Sequence, residues 1–182
     1  DFWREQAIQA GLLGLHLVAE NHSGIYDWDY KAAGFDAVYN LKFPATRPKW
    51  LPWSEPFQKI KNKIFDFMKI PNLYSYKEVT DSLNQLSENS TGNYPCIVPN
   101  WDNTPRSGVN GRVFLGSTPE LFYHHLKRAM RIVNNFPQEE KIIIIKSWNE
   151  WAEGNHLEPD LRFGHKYLEV IKDLMNGSKN NV

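Results

Sequence analysis

The chain has 182 residues, and its 21 Lys and Arg balance 21 Asp and Glu, so it lacks the basic excess that marks a nucleic-acid surface. Hydrophobic residues make up 41%, enough for the core of one ordinary domain, yet no apolar run approaches the ~20 residues that span a bilayer. The single cysteine, Cys96, excludes an intramolecular disulfide and, opening an apolar run, reads as an inert buried thiol.

In chain order, residues 2–10 carry a helical stripe of Phe2, Trp3, Ala7 and Ala10, with Gly11 as a left-handed stop. The chain begins at Asp1 and enters this helical sequence at once, so a missing N-terminal part is expected. Leu12 to Ala19 predicts a buried strand ending at Glu20, followed by a polar loop over 21–27 and a short helix over 30–33 stopped by Gly34. Phe35 to Leu41 is the second strand. The segment 42–75 then reads as an insertion rich in Pro and Trp (Pro44, Pro48, Trp50, Pro52, Trp53, Pro56), a composition that excludes a central strand or a helix interior. Within it, Phe57 to Met68 fits either a helix or a strand.

Tyr76 to Leu86 predicts a helix with Val79, Leu83 and Leu86 on one face. Cys96 to Pro99 is the third strand, ending in Asn100-Trp101-Asp102-Asn103, and a Gly-containing loop runs to Gly116. Ser117 and Glu120 have capping-box spacing around Pro119, ahead of a helix with Leu121, Phe122, Leu126, Ala129, Met130 and Val133 on its apolar face. His124 and His125 fall on that helix's exposed side or shoulder. Lys141 to Lys146 is the fourth strand. Its unbroken Ile142-Ile143-Ile144-Ile145 predicts burial on both faces, the mark of a parallel strand. A final helix carries Tyr167, Leu168, Ile171, Leu174 and Met175, with Gly177 as its stop.

Strands alternating with helices imply right-handed crossovers and a parallel α/β sheet. An open doubly wound sheet and a barrel both fit. Neither GxGxxG nor a P-loop follows any strand, which weakens a nucleotide-binding reading. A full eight-stranded barrel needs about 250 residues, so four strands suit half of one.

Three of the four strands end in polar or aromatic clusters: Glu20-Asn21-His22, Asn100 to Asn103, and Trp148-Asn149-Glu150-Trp151-Ala152-Glu153. In parallel β/α folds the strand C-termini share one side, where active sites form. Glu150 and Glu153 would point to opposite faces of a straight strand. If the strand ends near Trp148 and the chain turns, both face the mouth. Two carboxylates around a sugar divide the work of acid and base or nucleophile, with Trp148 and Trp151 as an apolar wall between them. The alternative is a pair of solvated surface glutamates. Trp101, Asp102 and Asn103 are candidates for holding sugar hydroxyls, or else form an Asx turn. Glu158 contacts substrate or braces the final loop against Arg162, and Glu20 is placed to face the mouth. The six His show no metal-ligand spacing, and no cofactor is expected.

The run Ser147-Trp148-Asn149-Glu150-Trp151-Ala152-Glu153-Gly154, continuing through Leu157-Glu158-Pro159-Asp160, Arg162, Gly164 and Tyr167-Leu168-Glu169, resembles the C-terminal signature of the WbsX-type domain. That family is labelled as glycosyltransferase or lipopolysaccharide biosynthesis protein. The run is also similar to glycoside hydrolase family 99, the endo-α-mannosidase family. Pro99 to Thr104 with Arg106, Gly34 to Val38, and Thr118 to Leu121 match as well, so the likeness spans nearly the whole chain.

The resemblance implies a (β/α)8 TIM barrel. Residues 1–182 would then be one partial domain, the C-terminal half with strands five to eight, and the N-terminal half of the same barrel its partner. It also implies a metal-free retaining hydrolase. Glu150 would be the base that deprotonates the sugar 2-hydroxyl to form an anhydro-sugar, and Glu153 the acid/base at the leaving group. Those hydrolases commonly carry His between the glutamates, whereas this chain has Ala152, as WbsX-type members do, and Asn40 stands where WbsX-type members often carry an acid. The leading expectation is a hydrolase of a mannose-type glycan or bacterial surface polysaccharide. A glycosyltransferase of O-antigen or capsule assembly is the second, and a non-catalytic carbohydrate-binding half-barrel the third.

Overall fold

A computed structural model describes residues 2–21, 28–41, 43, 60, 63–87 and 92–179. The prolines and tryptophans of the insertion between 44 and 56 lie outside these residues, as does His22.

The chain opens with helix α1 (Phe2–Gln9), closed at Gly11 with φ 80°, as its glycine predicts. The expected strand over Leu12 to Ala19 is shorter and later: β1 covers Val18–Asn21. Leu12 and Leu13 are exposed, and Gly14 also has positive φ. Pairing begins only where Ala37 stands opposite Val18, so the polar Glu20 and Asn21 belong to the strand rather than to a loop. Residues 30–33 form a turn rather than a helix, closed by Gly34 at φ 91°. Arg4 anchors α1 by bonding the Leu15 and Gly34 carbonyls and the Asp36 carboxylate. The carboxyl of Asp36 is held below its ordinary range mainly by the Leu17 N–H, with Arg4 adding to this against partial burial.

Strand β2 (Ala37–Asn40) lies parallel to β1. Of the stretch Phe57 to Met68, residues 63–67 are helical, while 57–59 and 61–62 lie outside the described residues. Inside the segment read as an insertion, β3 (Asn72–Ser75) forms and leads directly into α2 (Tyr76–Ser87). The third strand starts earlier than predicted and stops sooner, as β4 (Asn93–Tyr94) and β5 (Cys96–Ile97). Pro95 divides them because it has no N–H for the ladder, while its carbonyl accepts from Ile144. The Gly-containing loop after it holds a short helix, α3 (Thr104–Ser107), and a strand, β6 (Arg112–Leu115), parallel to β3. Neither β3 nor β6 has a run of alternating residues long enough to stand out in the sequence.

Helix α4 (Pro119–Val133) follows. Its N-cap is Thr118, whose hydroxyl accepts from the Leu121 N–H, and not Ser117. Ser117 is committed elsewhere: its hydroxyl donates to the Pro99 carbonyl, so the Tyr167 hydroxyl must donate to it. A cap of this kind contributes ~1 kcal/mol. Strand β7 (Ile144–Ile145) pairs parallel to β5. The chain then forms a small antiparallel hairpin of β8 (Asn149–Glu150) and β9 (Asn155–His156), and closes with α5 (Lys166–Lys179). Gly177 lies inside α5 rather than ending it, and Met175 is exposed.

The result is a mixed α/β fold with parallel strands in small sheets, ordered β1-β2-β4 and β5-β7, with β3-β6 beside them. No sheet among the described residues closes on itself. Ile97, Ile143 and Ile145 pack with Phe122, Leu126 and Ala129 of α4 and Tyr167 of α5. Ile142 packs with Ala37, Tyr94, Ile132 and Phe136, so the run is packed from two sides, but all four isoleucines are only partly buried, short of the burial on both faces that the lack of alternation predicts. Cys96 and Val98 join Val79 and Leu83 of α2 in a third cluster with Trp101 and Phe114. Each fully buried side chain of this size contributes ~1.5–3 kcal/mol. Burial pushes the Cys96 thiol up to about 12, with the Glu20 charge adding to this and Lys146 opposing it, which agrees with the inert thiol read from the sequence.

His125 corrects the sequence expectation, because it is 2% exposed. Its Nε2 accepts from the Val98 N–H at 3.4 Å, and burial drives its pKa down to about 3, with Asp81 opposing and Arg128 assisting. A helical wheel places it beside the exposed His124, but α4 lies across the strands closely enough to enclose it.

Candidate active site

The strand β7 ends at Ile145, and a cis peptide joins Lys146 to Ser147. The next residues cannot continue the ladder, because Ser147 turns to bond Asn155: its N–H donates to Asn155 Oδ1 and its hydroxyl to the Asn155 carbonyl. Ser147 Oγ in turn accepts from the Glu150 N–H. Residues Trp151–Glu153 form one turn of 3₁₀ helix, and Gly154 ends it in the left-handed conformation at φ 52°. This tight reversal brings Glu150 and Glu153 to one side, as a strand ending near Trp148 requires.

The side chain that joins them is Arg106. Its Nη1 donates to Glu153 Oε1 at 2.9 Å, and its Nη2 lies 3.7 Å from Glu150 Oε2. One guanidinium fork therefore spans both carboxylates. Arg106 lies on α3, and Asn103 positions that helix: its carbonyl accepts from the N–H groups of Arg106 and Ser107, and its Oδ1 accepts from the Arg112 N–H. Asp102 forms an Asx-type turn, with Oδ1 accepting from the N–H and hydroxyl of Thr104. Asn103 and Asp102 thus hold the loop that carries Arg106, and the Oδ1 atom of each is already engaged.

Glu153 is the more enclosed of the pair, with its side chain 15% exposed against 47% for Glu150. Lys146 approaches its other oxygen at 3.8 Å, and the same Nζ lies 5.4 Å from the centre of the Trp101 ring. Trp101 is buried between Phe43 and Phe114. Lys146 was missed in the sequence because it reads as the polar end of an apolar strand. Arg106 was visible only as part of the resemblance.

The remaining candidates separate. Trp148 is 53% exposed, and its carbonyl accepts from Leu157 and Glu158. Trp151 is also about half exposed. It stacks on His156 at 3.8 Å and donates from Nε1 to Glu158 Oε2 at 2.6 Å. Glu158 therefore braces Trp151 rather than Arg162. Trp148 and Trp151 are open surfaces rather than an apolar wall enclosing the glutamates. Asn149 sits opposite His156 in the hairpin register. Glu20 lies on β1 opposite Tyr39, whose phenol is pushed up by burial and by its hydrogen bond to the Glu20 carboxylate.

These features bring two carboxylates onto one arginine beyond the C-terminal end of the parallel strand β7. Residues 1–171 match the family described as Glycosyltransferase WbsX, and the chain belongs to that family. It is 28% identical over 174 residues to two proteins, each described as an uncharacterised protein WxcX, from two strains of Xanthomonas campestris pv. campestris. The match covers 95% of this chain and 24% of each relative, so the chain spans about a quarter of their length. No solved structure matches it. The description of that family points to glycosyltransferase-like or otherwise carbohydrate-active proteins.

Proposed function

We propose that this chain carries the catalytic face of a retaining, glycosidic-bond-cleaving enzyme, with Glu150 and Glu153 as the reacting pair. The observation that carries the reading is the Arg106 fork between them.

Glu150, the more open carboxylate, acts as the base on the sugar 2-hydroxyl, and Glu153 serves the leaving oxygen. When one carboxylate takes a proton, its hold on Arg106 weakens and the fork is free to strengthen on the other. The arginine thereby couples the two roles and fixes both geometries. Acid–base assistance of this type contributes roughly 10²–10⁴-fold in rate.

The successive parallel neighbours β1, β2, β4 with β5, and β7 suit one wall of a (β/α)8 barrel, strands five to eight, with the N-terminal half as its partner. The substrate is a mannose-type glycan or bacterial surface polysaccharide. The family description favours a second reading, transfer from an activated donor in surface-polysaccharide assembly. The same carboxylates would then serve an acceptor hydroxyl.

The test is to incubate the intact protein with aryl glycosides and bacterial polysaccharides, with and without nucleotide-sugars, and to follow products by mass spectrometry. Sugar released without a donor, and abolished in Glu150→Gln and Glu153→Gln, is the expected result. Product formed only with a donor overturns hydrolysis in favour of transfer. Glycan binding with full retention in both variants and no turnover by the native protein leaves a binding module.

A further inference from the structure

The segment read as an insertion carries a feature that the glutamate pair does not use. Residue 60 and residues 63–67 are helical, and Ile60, Ile64, Phe67 and Met68 follow the spacing of one helical stripe. The stripe faces water, since these side chains are 54%, 49%, 89% and 61% exposed. Phe65, off the stripe, is only partly exposed. The Met68 N–H donates to the Ile64 carbonyl and the Ile70 N–H to the Phe65 carbonyl, with Lys69 between them in the left-handed conformation at φ 54°. Asn72 then opens β3, its N–H donating to the Gly111 carbonyl. The end of the helix is therefore fixed against the sheet, and its apolar side chains are presented from that position.

Single exposed apolar side chains are ordinary, but four along one stripe mark a surface that something covers. The charges around it select the occupant. Lys59, Lys61, Lys63 and Lys69 stand against Asp66 alone over 59–69, in a chain whose overall formal charge is zero. Lys63 and Lys69 are exposed. The apolar centre of a protein–protein interface is depleted in lysine. An anionic lipid surface accepts both features: its headgroup–acyl boundary takes up apolar side chains, and its phosphates attract ammonium groups on long stems that reach back to the headgroups. A stripe from 60 to 68 is far short of the ~20 residues that span a bilayer, and its length suits a helix lying in the interface plane.

We infer that the stripe of Ile60, Ile64, Phe67 and Met68, with the lysines around it, docks this protein on an anionic membrane surface. The apolar side chains enter the boundary between headgroups and acyl chains, and the lysines meet lipid phosphates. The Asn72 bond to Gly111 ties the end of this helix to the loop that carries Arg106, so docking also fixes how the glutamate pair stands relative to the membrane. The inference uses no property of the glutamates and does not depend on the carbohydrate reading.

The experiment sediments the intact protein with vesicles of phosphatidylcholine alone, or of phosphatidylcholine with roughly a third phosphatidylglycerol. The expected result is about a tenfold stronger partition onto the anionic set, weakened by salt. Phe67→Ser and Lys63→Glu change exposed side chains, and each should lower that partition by about tenfold while leaving thermal unfolding unchanged. Equal partition onto the two sets, or onto neither, overturns the lipid surface. Anionic partition unchanged in either variant overturns the stripe as the docking face. Self-association that depends on concentration and is abolished in Phe67→Ser, without vesicle binding, gives the stripe to a second copy of this chain and overturns the inference as well.

Discussion

The backbone N–H of Asp102 donates to the carbonyl of Glu153 at 2.8 Å, joining the end of the third strand to the turn after the fourth. A Cβ on the neighbouring Gly154 would meet the Asp102 Cβ and N at 2.9 Å, from a backbone already at φ 52°. Both the close approach and the left-handed conformation exclude a side chain there. Gly154→Ala is therefore expected to lose ~1–3 kcal/mol of stability and to separate Arg106 from the glutamates. Urea unfolding of the variant checks the first effect, and unchanged stability would remove the steric argument.

Arg106 is largely exposed and bonds no core group, so Arg106→Gln should fold normally. If it holds the two carboxylates in working geometry, the variant should lose about 10²-fold in kcat with little change in KM. Steady-state kinetics on whichever glycan the panel identifies supplies the comparison. A selective rise in KM would instead make Arg106 a substrate contact.

His125 gives the fold a pH dependence of definite sign. Its pKa falls from an ordinary 6.5 to about 3 in the folded chain, so between these values the unfolded chain binds the proton and the folded chain does not. Stability from this group is fully present above pH 6.5 and is lost as pH falls toward 3, at up to about 1.4 kcal/mol per pH unit. His125→Gln keeps an acceptor for the Val98 N–H and lacks the titration. Its stability should fall less steeply than the native protein's between pH 6.5 and 4, measured by urea unfolding at each pH, and parallel slopes would contradict this.

Cys96 should resist modification. Its buried thiol, pushed up to about 12, leaves almost no thiolate at pH 8. Iodoacetamide should leave the native protein's mass unchanged and add one adduct after denaturation. Rapid labelling of the native chain would show that the sheet around Cys96 opens.

Trp151→Phe removes the indole N–H that bonds Glu158 but keeps a ring to stack on His156. The expected cost is ~1 kcal/mol of stability, read by thermal unfolding. A larger loss in glycan binding than in stability would make Trp151 a sugar platform as well as a brace.

The alternation of strands and helices, the parallel pairing of the isoleucine strand, and the gathering of Glu150 and Glu153 at one strand end were legible in the sequence. Each depends on local pattern: hydrophobic period, glycine position, and the polarity of strand ends. Where the strands begin and end was not legible, because a strand exists only where a neighbour supplies partners. Leu12 to His16 has the composition of a strand and, among the described residues, no strand paired to it, while Asn72–Ser75 lacks the pattern and has Arg112–Leu115 as its partner. The burial of His125, the choice of Thr118 over Ser117 as cap, and the sharing of Arg106 by two glutamates were likewise decided by contacts between residues far apart in the chain. Residue type and spacing determine which groups are available for chemistry. Only packing decides which of them meet, because a side chain's partner is set by where the backbone returns and not by what stands next to it.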